Sequence, residues 1–491
     1  MSDTENPPAG SPVTVIRNAG WIVGWDAETG GHTYFRDGDV AFAGDRILQV
    51  GGRFDGEAVK EIDGRDRVVL PGMVNVHSHP SSEAMNKGFL DELGSPRLGM
   101  SSLYEFMPLF RPDDEGRQAC VEVTYAELLL SGVTTLVDMS VAWDGWVETF
   151  ARSGLRGVVS PMYRSGHWFT KNGHSVEYEY LADEGRSAMA EAMSVIETAT
   201  AHECGRLSGM VSPSQIDTCT EGLVRESLDA AEEKGLPFQI HAAQSVVEFQ
   251  EITRRHGRTP VEWLGDMGVL RPGSIIGHGI FLNDYPMVHW PHGNDFARLQ
   301  ESGVAVAHCP TVFQRRGITM QTVGRYIKGG IPIGIGTDTF PHNMFEELRA
   351  ALILSRVMSG NVYDIRTSDI FDAATLGGAR LLGRDDIGKL APGAKADIVL
   401  VDASHPAMRP LRDPLRSLVY TAAERAVRDV FVDGRQVVED GIVATIDLPA
   451  SLDTLEAAQR RAEQEFARLD FAGRSHLDAS PLTYREKSAN G

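Results

Sequence analysis

The sequence predicts an α/β fold, a (β/α)8 barrel of the TIM type carrying a small β-sandwich. Three observations point there. Through the middle of the chain, apolar strands of about five residues alternate with helical stretches, the mark of βα units and a parallel sheet. Both ends are β-rich instead. And histidines recur at the same end of separate strands.

Taken in order, residues 1–11 are polar and Pro-containing and are expected to be disordered. Residues 12–70 read as short strands at Val13–Asn18, Gly38–Phe42 and Arg46–Val50, punctuated by Gly and Asp. The same pattern returns at Gly393–Asp402 and Val427–Gly434. Segments 12–70 and 388–448 are therefore expected to pair into one composite sandwich domain. Residues 71–387 form the barrel domain between them. Its eight strands are read at Met73–His77, Thr134–Asp138, Gly157–Met162, Ser208–Ser212, Phe238–His241, Ser274–His278, Val304–His308 and Ile333–Thr337. Helices such as Leu223–Lys234 and Met344–Met358 lie between or after them. Residues 449–491 form a helical tail whose charged run, Leu455–Leu469, packs either on its own barrel or over a neighbouring subunit.

Composition narrows the function. At 491 residues, with 42% apolar and 23% charged residues, the chain is a globular protein larger than one ordinary domain. A net charge of -21 argues against nucleic acid and anionic membrane as partners. Cys120, Cys204, Cys219 and Cys309 lack paired or metal-type spacing, as expected of reduced thiols in a cytoplasmic protein. There is no basic-then-apolar leader and no apolar run of membrane-spanning length.

The chemistry lies at the strand ends. His77 and His79 close the first strand, and residues i and i+2 of a strand share a face. His241 closes the fifth strand, His278 the sixth, and Asp338 follows the eighth. These groups converge only if the strands close into a barrel, whose active site lies at the C-terminal strand ends. Two or three imidazoles with one carboxylate suit zinc or a similar ion with a position left open for water.

These motifs resemble the amidohydrolase superfamily of metal-dependent hydrolases. The resemblance runs from about residue 12 to 445, through Pro71–His79, Gly132–Asp138, Gln239–His241, Gly277–Gly279, Ala307–Pro310, Gly336–Asp338 and Gly388–Ile398. It is strongest to the branch holding cytosine and guanine deaminases, triazine hydrolases, and phenylurea and thiocarbamate hydrolases. It implies His77, His79, His241 and Asp338 as metal ligands, with His278 polarising the substrate. Binuclear members bridge two ions with a carbamylated lysine after the fourth strand. Here Ser208–Asp217 contains no lysine, so one divalent ion per chain is expected, zinc before iron, cobalt or manganese. Asp338 would take a proton from the metal-activated water and pass it to the leaving nitrogen.

One departure matters. The deaminases of this branch carry Glu three residues after the strand-five histidine, where this chain has Gln244. An amide can orient a substrate but cannot protonate a ring nitrogen. This favours hydrolysis of a non-peptide C–N bond of the amide, urea or carbamate type. The alternative is an aminohydrolase, deaminase or dechlorinase, of a pyrimidine, purine or triazine ring, with another acid replacing the missing Glu. A non-catalytic scaffold is the remote third reading. Loops on the catalytic face supply substrate contacts, with Lys87, Tyr163, Trp168, His308, Phe313 and Asn343 as candidates. The expected partners are a small-molecule substrate and further copies of the chain, as a dimer or higher oligomer.

Overall fold

The computed structural model describes residues 11–89, 98, 100, 102–290, 292–421 and 423–487. All but the last residue of the segment expected to be disordered lies outside that set, as does part of the loop between the first barrel strand and the first long helix.

The barrel follows from burial on both faces. Its strands are near-continuous apolar runs, as parallel strands covered by helices must be. Met73–Ser78, Val133–Asp138, Arg156–Val159 and Leu207–Gly209 form one parallel sheet. Phe238–Ala242, Ser274–His278, Ala305–His308 and Ile333–Ile335 form the other. Two seams join them. At the first, Asp338 N donates to His77 O (2.9 Å) and His79 N donates to Asp338 O (2.9 Å). At the second, Gln239 N donates to Val211 O (3.0 Å) and Ile216 N donates to His241 O (3.0 Å). The eight strands thus close into the expected barrel. The eighth ends at Ile335 rather than Thr337, because the chain turns sharply and places Asp338 in the left-handed region at φ 58°. The third and fourth also end early, at Val159 and Gly209, and each resumes as a short pair at Met162–Tyr163 and Ser212–Pro213.

The sandwich joins both ends of the chain. One sheet holds Arg46–Val50, Gly38–Ala43, Val13–Ala19 and Lys60–Asp63. The other threads Ile398–Asp402, Val427–Val432, Arg435–Glu439 and Ile442–Val443 beside Arg67–Pro71, Trp21–Asp26 and Gly31–Phe35. Val40, Phe42 and Ile47 of the first sheet pack on Ile398, Leu400 and Phe431 of the second. Gly72 carries the chain from Arg67–Pro71 into the first barrel strand. A Cβ there would stand 2.0 Å from Thr134 Oγ1, so no larger residue fits the crossing.

A buried charge cluster pins the sandwich to the barrel. Arg156, on the third barrel strand, reaches Asp397 with Nε and Nη2, both at 3.0 Å, and also pairs with Asp433. The tail helix, Leu448–Leu469, packs on its own barrel along Asp114–Leu130. Phe466 is buried among Phe89, Phe106 and Phe110, and Arg461 bonds Asp113 at 2.6 Å. The four cysteines are free thiols. Among the described residues no helix is long and apolar enough to cross a membrane.

Candidate active site

Four side chains meet at the mouth of the barrel, and each histidine is held by its far nitrogen. His77 Nδ1 donates to Gln239 Oε1 (2.5 Å), His79 Nδ1 to Met139 O (2.9 Å), and His241 Nδ1 to Ser214 O (2.5 Å). With Nδ1 spent, all three turn the Nε2 lone pair inward. His77 Nε2 is buried with no hydrogen-bond partner among the described residues, and the three ligand nitrogens lie within 4.8 Å of one another. Asp338 Oδ1 stands 3.2 Å from His79 Nε2 and 3.6 Å from His77 Nε2. Lone pairs facing one another are repulsive unless a cation lies among them. The residues therefore fit a divalent ion, their outer nitrogens fixed by carbonyl oxygens as metal-binding imidazoles require.

The electrostatics agree. Burial alone would raise the Asp338 carboxyl, yet His278 together with His77 and His79 holds it well below the usual carboxylate range. Burial, reinforced by the neighbouring imidazoles, keeps His241 neutral. His79 is pushed down by burial, but the Asp338 carboxylate more than offsets this and raises it. His278 stands one strand over, its Nε2 3.7 Å from Asp338 Oδ2, and burial holds it neutral.

Gln244 is buried beside this cluster, and its Nε2 donates to Gln215 Oε1 at 3.1 Å. Glu248 fixes the local backbone, accepting from Ala243 N (2.6 Å) and Gln244 N (3.3 Å). This shapes the turn that places Ala243 at φ 55°.

The loop candidates divide. The Phe313 ring lies 4.6 Å from that of His278. His308, at the end of the seventh strand, is buried and held down to about 4 by burial. Trp168 packs on Tyr104, whose hydroxyl meets Ser245 Oγ at 2.6 Å, next to Gln244. The other three have their polar groups engaged elsewhere. Lys87 pairs with Glu127. Tyr163 donates to Ser227 Oγ (2.7 Å) within the core. Asn343 caps the helix Met344–Ser359 through Phe345 N and Glu346 N.

Three site residues escaped the sequence reading. Gln239 sits two residues before His241 and so shares its face, a spacing that could have revealed it. Glu83 is buried four residues after His79, and Gln215 pairs across the strands with His241. Nothing local in the sequence marks those two.

The family model described as "Amidohydrolase family" matches residues 68–437. The chain belongs to the amidohydrolase family. Its curated relatives include the 5-methylthioadenosine/S-adenosylhomocysteine deaminase of Pelotomaculum thermopropionicum, 28% identical over 87% of this chain and 94% of that protein. The 5′-deoxyadenosine deaminase of Methanothermobacter thermautotrophicus is 29% identical over 86% of this chain and 94% of that protein. A Bacillus thuringiensis 5-methylthioadenosine/S-adenosylhomocysteine deaminase reaches 30% over 84% and 91%. Among solved structures, a zinc-bound adenosine deaminase from Xanthomonas campestris superposes with a TM-score of 0.79 at 21% identity, covering 93% of this chain and 100% of that one. A zinc-bound atrazine chlorohydrolase from Arthrobacter aurescens gives 0.74 at 20%, covering 91% and 100%. This amidohydrolase is a metal-dependent hydrolase that cleaves non-peptide C–N bonds.

Proposed function

We propose that this amidohydrolase is an aminohydrolase of a nitrogen-containing aromatic ring in a small molecule of the aminated purine class. The observation that carries this reading is the run of relatives, each named for deamination of an adenine-type compound, at 28–30% identity over at least 84% of the chain. Here the ring reading overtakes the amide, urea or carbamate reading preferred from sequence. The latter keeps one specific support, the amide of Gln244 where the resemblance to the deaminase branch implies an acid.

His77, His79, His241 and Asp338 would hold one divalent ion, with zinc favoured. The single-ion stoichiometry is supported by the lack of a lysine after the fourth strand. Such an ion supplies Lewis acidity, which brings the ionisation of water within reach of neutral pH. Asp338, kept anionic by its histidines, accepts the proton of the attacking water and returns it to the leaving nitrogen. His278, kept neutral, donates to the substrate atom on which negative charge gathers. Phe313 and Trp168 supply apolar walls against which a flat ring packs. The reading includes a cytoplasmic protein that assembles with further copies of itself. Exposed Ile353, Val357, Met358, Val362 and Tyr363, on and just after one helix, support that assembly.

The test is ammonia or amine release by zinc-loaded protein from 5′-methylthioadenosine, adenosine, an aminated triazine, a phenylurea and a phenylcarbamate. Ammonia from the aminated rings is expected. Turnover of ureas and carbamates alone would return the function to the carbonyl reading.

A further inference from the structure

Gln215 follows the fourth strand and pairs in parallel register with His241. Register partners on parallel strands send their side chains to the same face, so Gln215 faces the barrel mouth beside His241. On the other side of His241, the ring of His278 stands 5.5 Å from the His241 ring. Gln215 and His278 therefore flank one metal-binding imidazole. The Gln215 amide accepts from Gln244 Nε2 (3.1 Å) through Oε1. Its own Nε2 is buried and makes no hydrogen bond among the described residues. A buried amide donor left unmade is unfavourable, and a bound acceptor removes that cost.

We infer that Gln215 is a second donor to the substrate atom that gains charge, the sp2 atom double-bonded to the reacting carbon. This rests on the aminohydrolase reading. In an aminated ring that atom is the adjacent ring nitrogen; in a urea it would be the carbonyl oxygen. Water oxygen bonds to the ring carbon, one of its protons passes to Asp338, and the C=N π pair collapses onto the ring nitrogen. Gln215 Nε2 and His278 stabilise that charge without transferring a proton. The pair then returns, the C–N bond to the amino group breaks, and the Asp338 proton leaves with ammonia. The product is the hydroxy-substituted ring, so no acid at the ring nitrogen is needed. Gln244 orients the donor by pinning Gln215 Oε1, which accounts for an amide at a position where a carboxylate could not donate to Oε1 and would instead draw off the Gln215 Nε2 donor.

Two variants separate the donor from the fold. Gln215→Met removes both amide functions at similar volume, and Gln215→Glu keeps the acceptor for Gln244 while losing the donor. Each should lower kcat/KM on 5′-methylthioadenosine by about 10²- to 10³-fold, the scale of a lost donor to developing charge, with zinc content and Tm unchanged. Gln215→Glu alone should regain rate as pH is lowered, since a protonated carboxyl donates again. Retention of kcat/KM within about threefold, or loss of zinc in both variants, would overturn the inference. If the parent turns over no aminated ring, the aminohydrolase reading fails separately. Calorimetric binding of purine riboside, which keeps the ring nitrogens without the amino group, then decides Gln215. The parent should bind it about tenfold more tightly than either variant, a contact worth near 1.4 kcal/mol, and equal binding would overturn the inference.

Discussion

The Nε2 atoms of His79 and His241 stand 3.2 Å apart, and both rings already donate from Nδ1 to backbone carbonyls. With Asp338 Oδ1 3.2 Å from His79 Nε2, the two nitrogens stand close enough to share one cation. His241→Ala should therefore lose bound metal, whereas His278→Ala should keep about one ion per chain and lose turnover by about 10²-fold or more. Elemental analysis of both variants beside the parent checks this. Equal metal loss in the two would place His278 among the ligands.

Arg156 is the second prediction. Its guanidinium is buried between Asp397 and Asp433, and removing it leaves the buried Asp397 carboxylate without its counter-charge. Arg156→Ala should cost about 3–5 kcal/mol, the range for breaking a buried ion pair from one side. Urea unfolding measures it. A loss under about 1 kcal/mol would mean that the carboxylates find water once the arginine is gone.

The parts of this molecule legible in its sequence were those governed by short periods. His77 and His79 announced themselves because a strand repeats every two residues. The barrel strands did so because burial on both faces forces apolar runs. The bond between Arg156 and Asp397 spans 241 positions and leaves no local pattern. Gln215 depends on the seam between the fourth and fifth strands, set by the closure of the whole barrel. The hairpin Gly166–Phe169 with Glu177–Tyr180 was hidden for another reason. Its residues are mixed polar and aromatic, and Tyr178 is fixed by a distant carboxylate, Asp217, at 2.8 Å.

His32 offers a pH test away from the metal centre. Burial pushes it down from 6.5 to about 4, so the folded protein holds it neutral where the unfolded chain binds a proton. A lowered value contributes stability that is fully present above pH 6.5 and is lost as pH falls towards about 4. The contribution is at most about 3 kcal/mol. Asp372, 3.9 Å away and pushed up to about 6 by burial, contributes the opposite slope, but it does so in parent and variant alike. His32→Gln should therefore lose less stability than the parent on acidification through that window. Denaturation midpoints across the window, taken as parent minus variant, measure it, and parallel curves would show that His32 is not the group responsible.

Gln244 decides between the two substrate classes. In the aminohydrolase its amide pins Gln215, so Gln244→Ala should cost about 10- to 100-fold in turnover, the scale of lost positioning rather than of a lost acid. Gln244→Glu is the sharper variant. It puts a carboxyl three residues after His241, where the resemblance to the deaminase branch implies one. In a ring aminohydrolase that carboxyl can protonate the ring nitrogen directly, so ammonia release from 5′-methylthioadenosine should match or exceed the parent's. It should also acquire a new dependence on pH, because an ionisable group has replaced a neutral one. In a urea or carbamate hydrolase the same change only adds negative charge near the anionic Asp338. That opposes formation of a further anion in the site and moves the pH–rate profile upward without any gain in rate. The two outcomes are opposite in sign on the same variant. Amine release from phenylurea by the parent, lowered in Gln244→Glu, with both proteins inert towards aminated rings, would establish the carbonyl substrate instead.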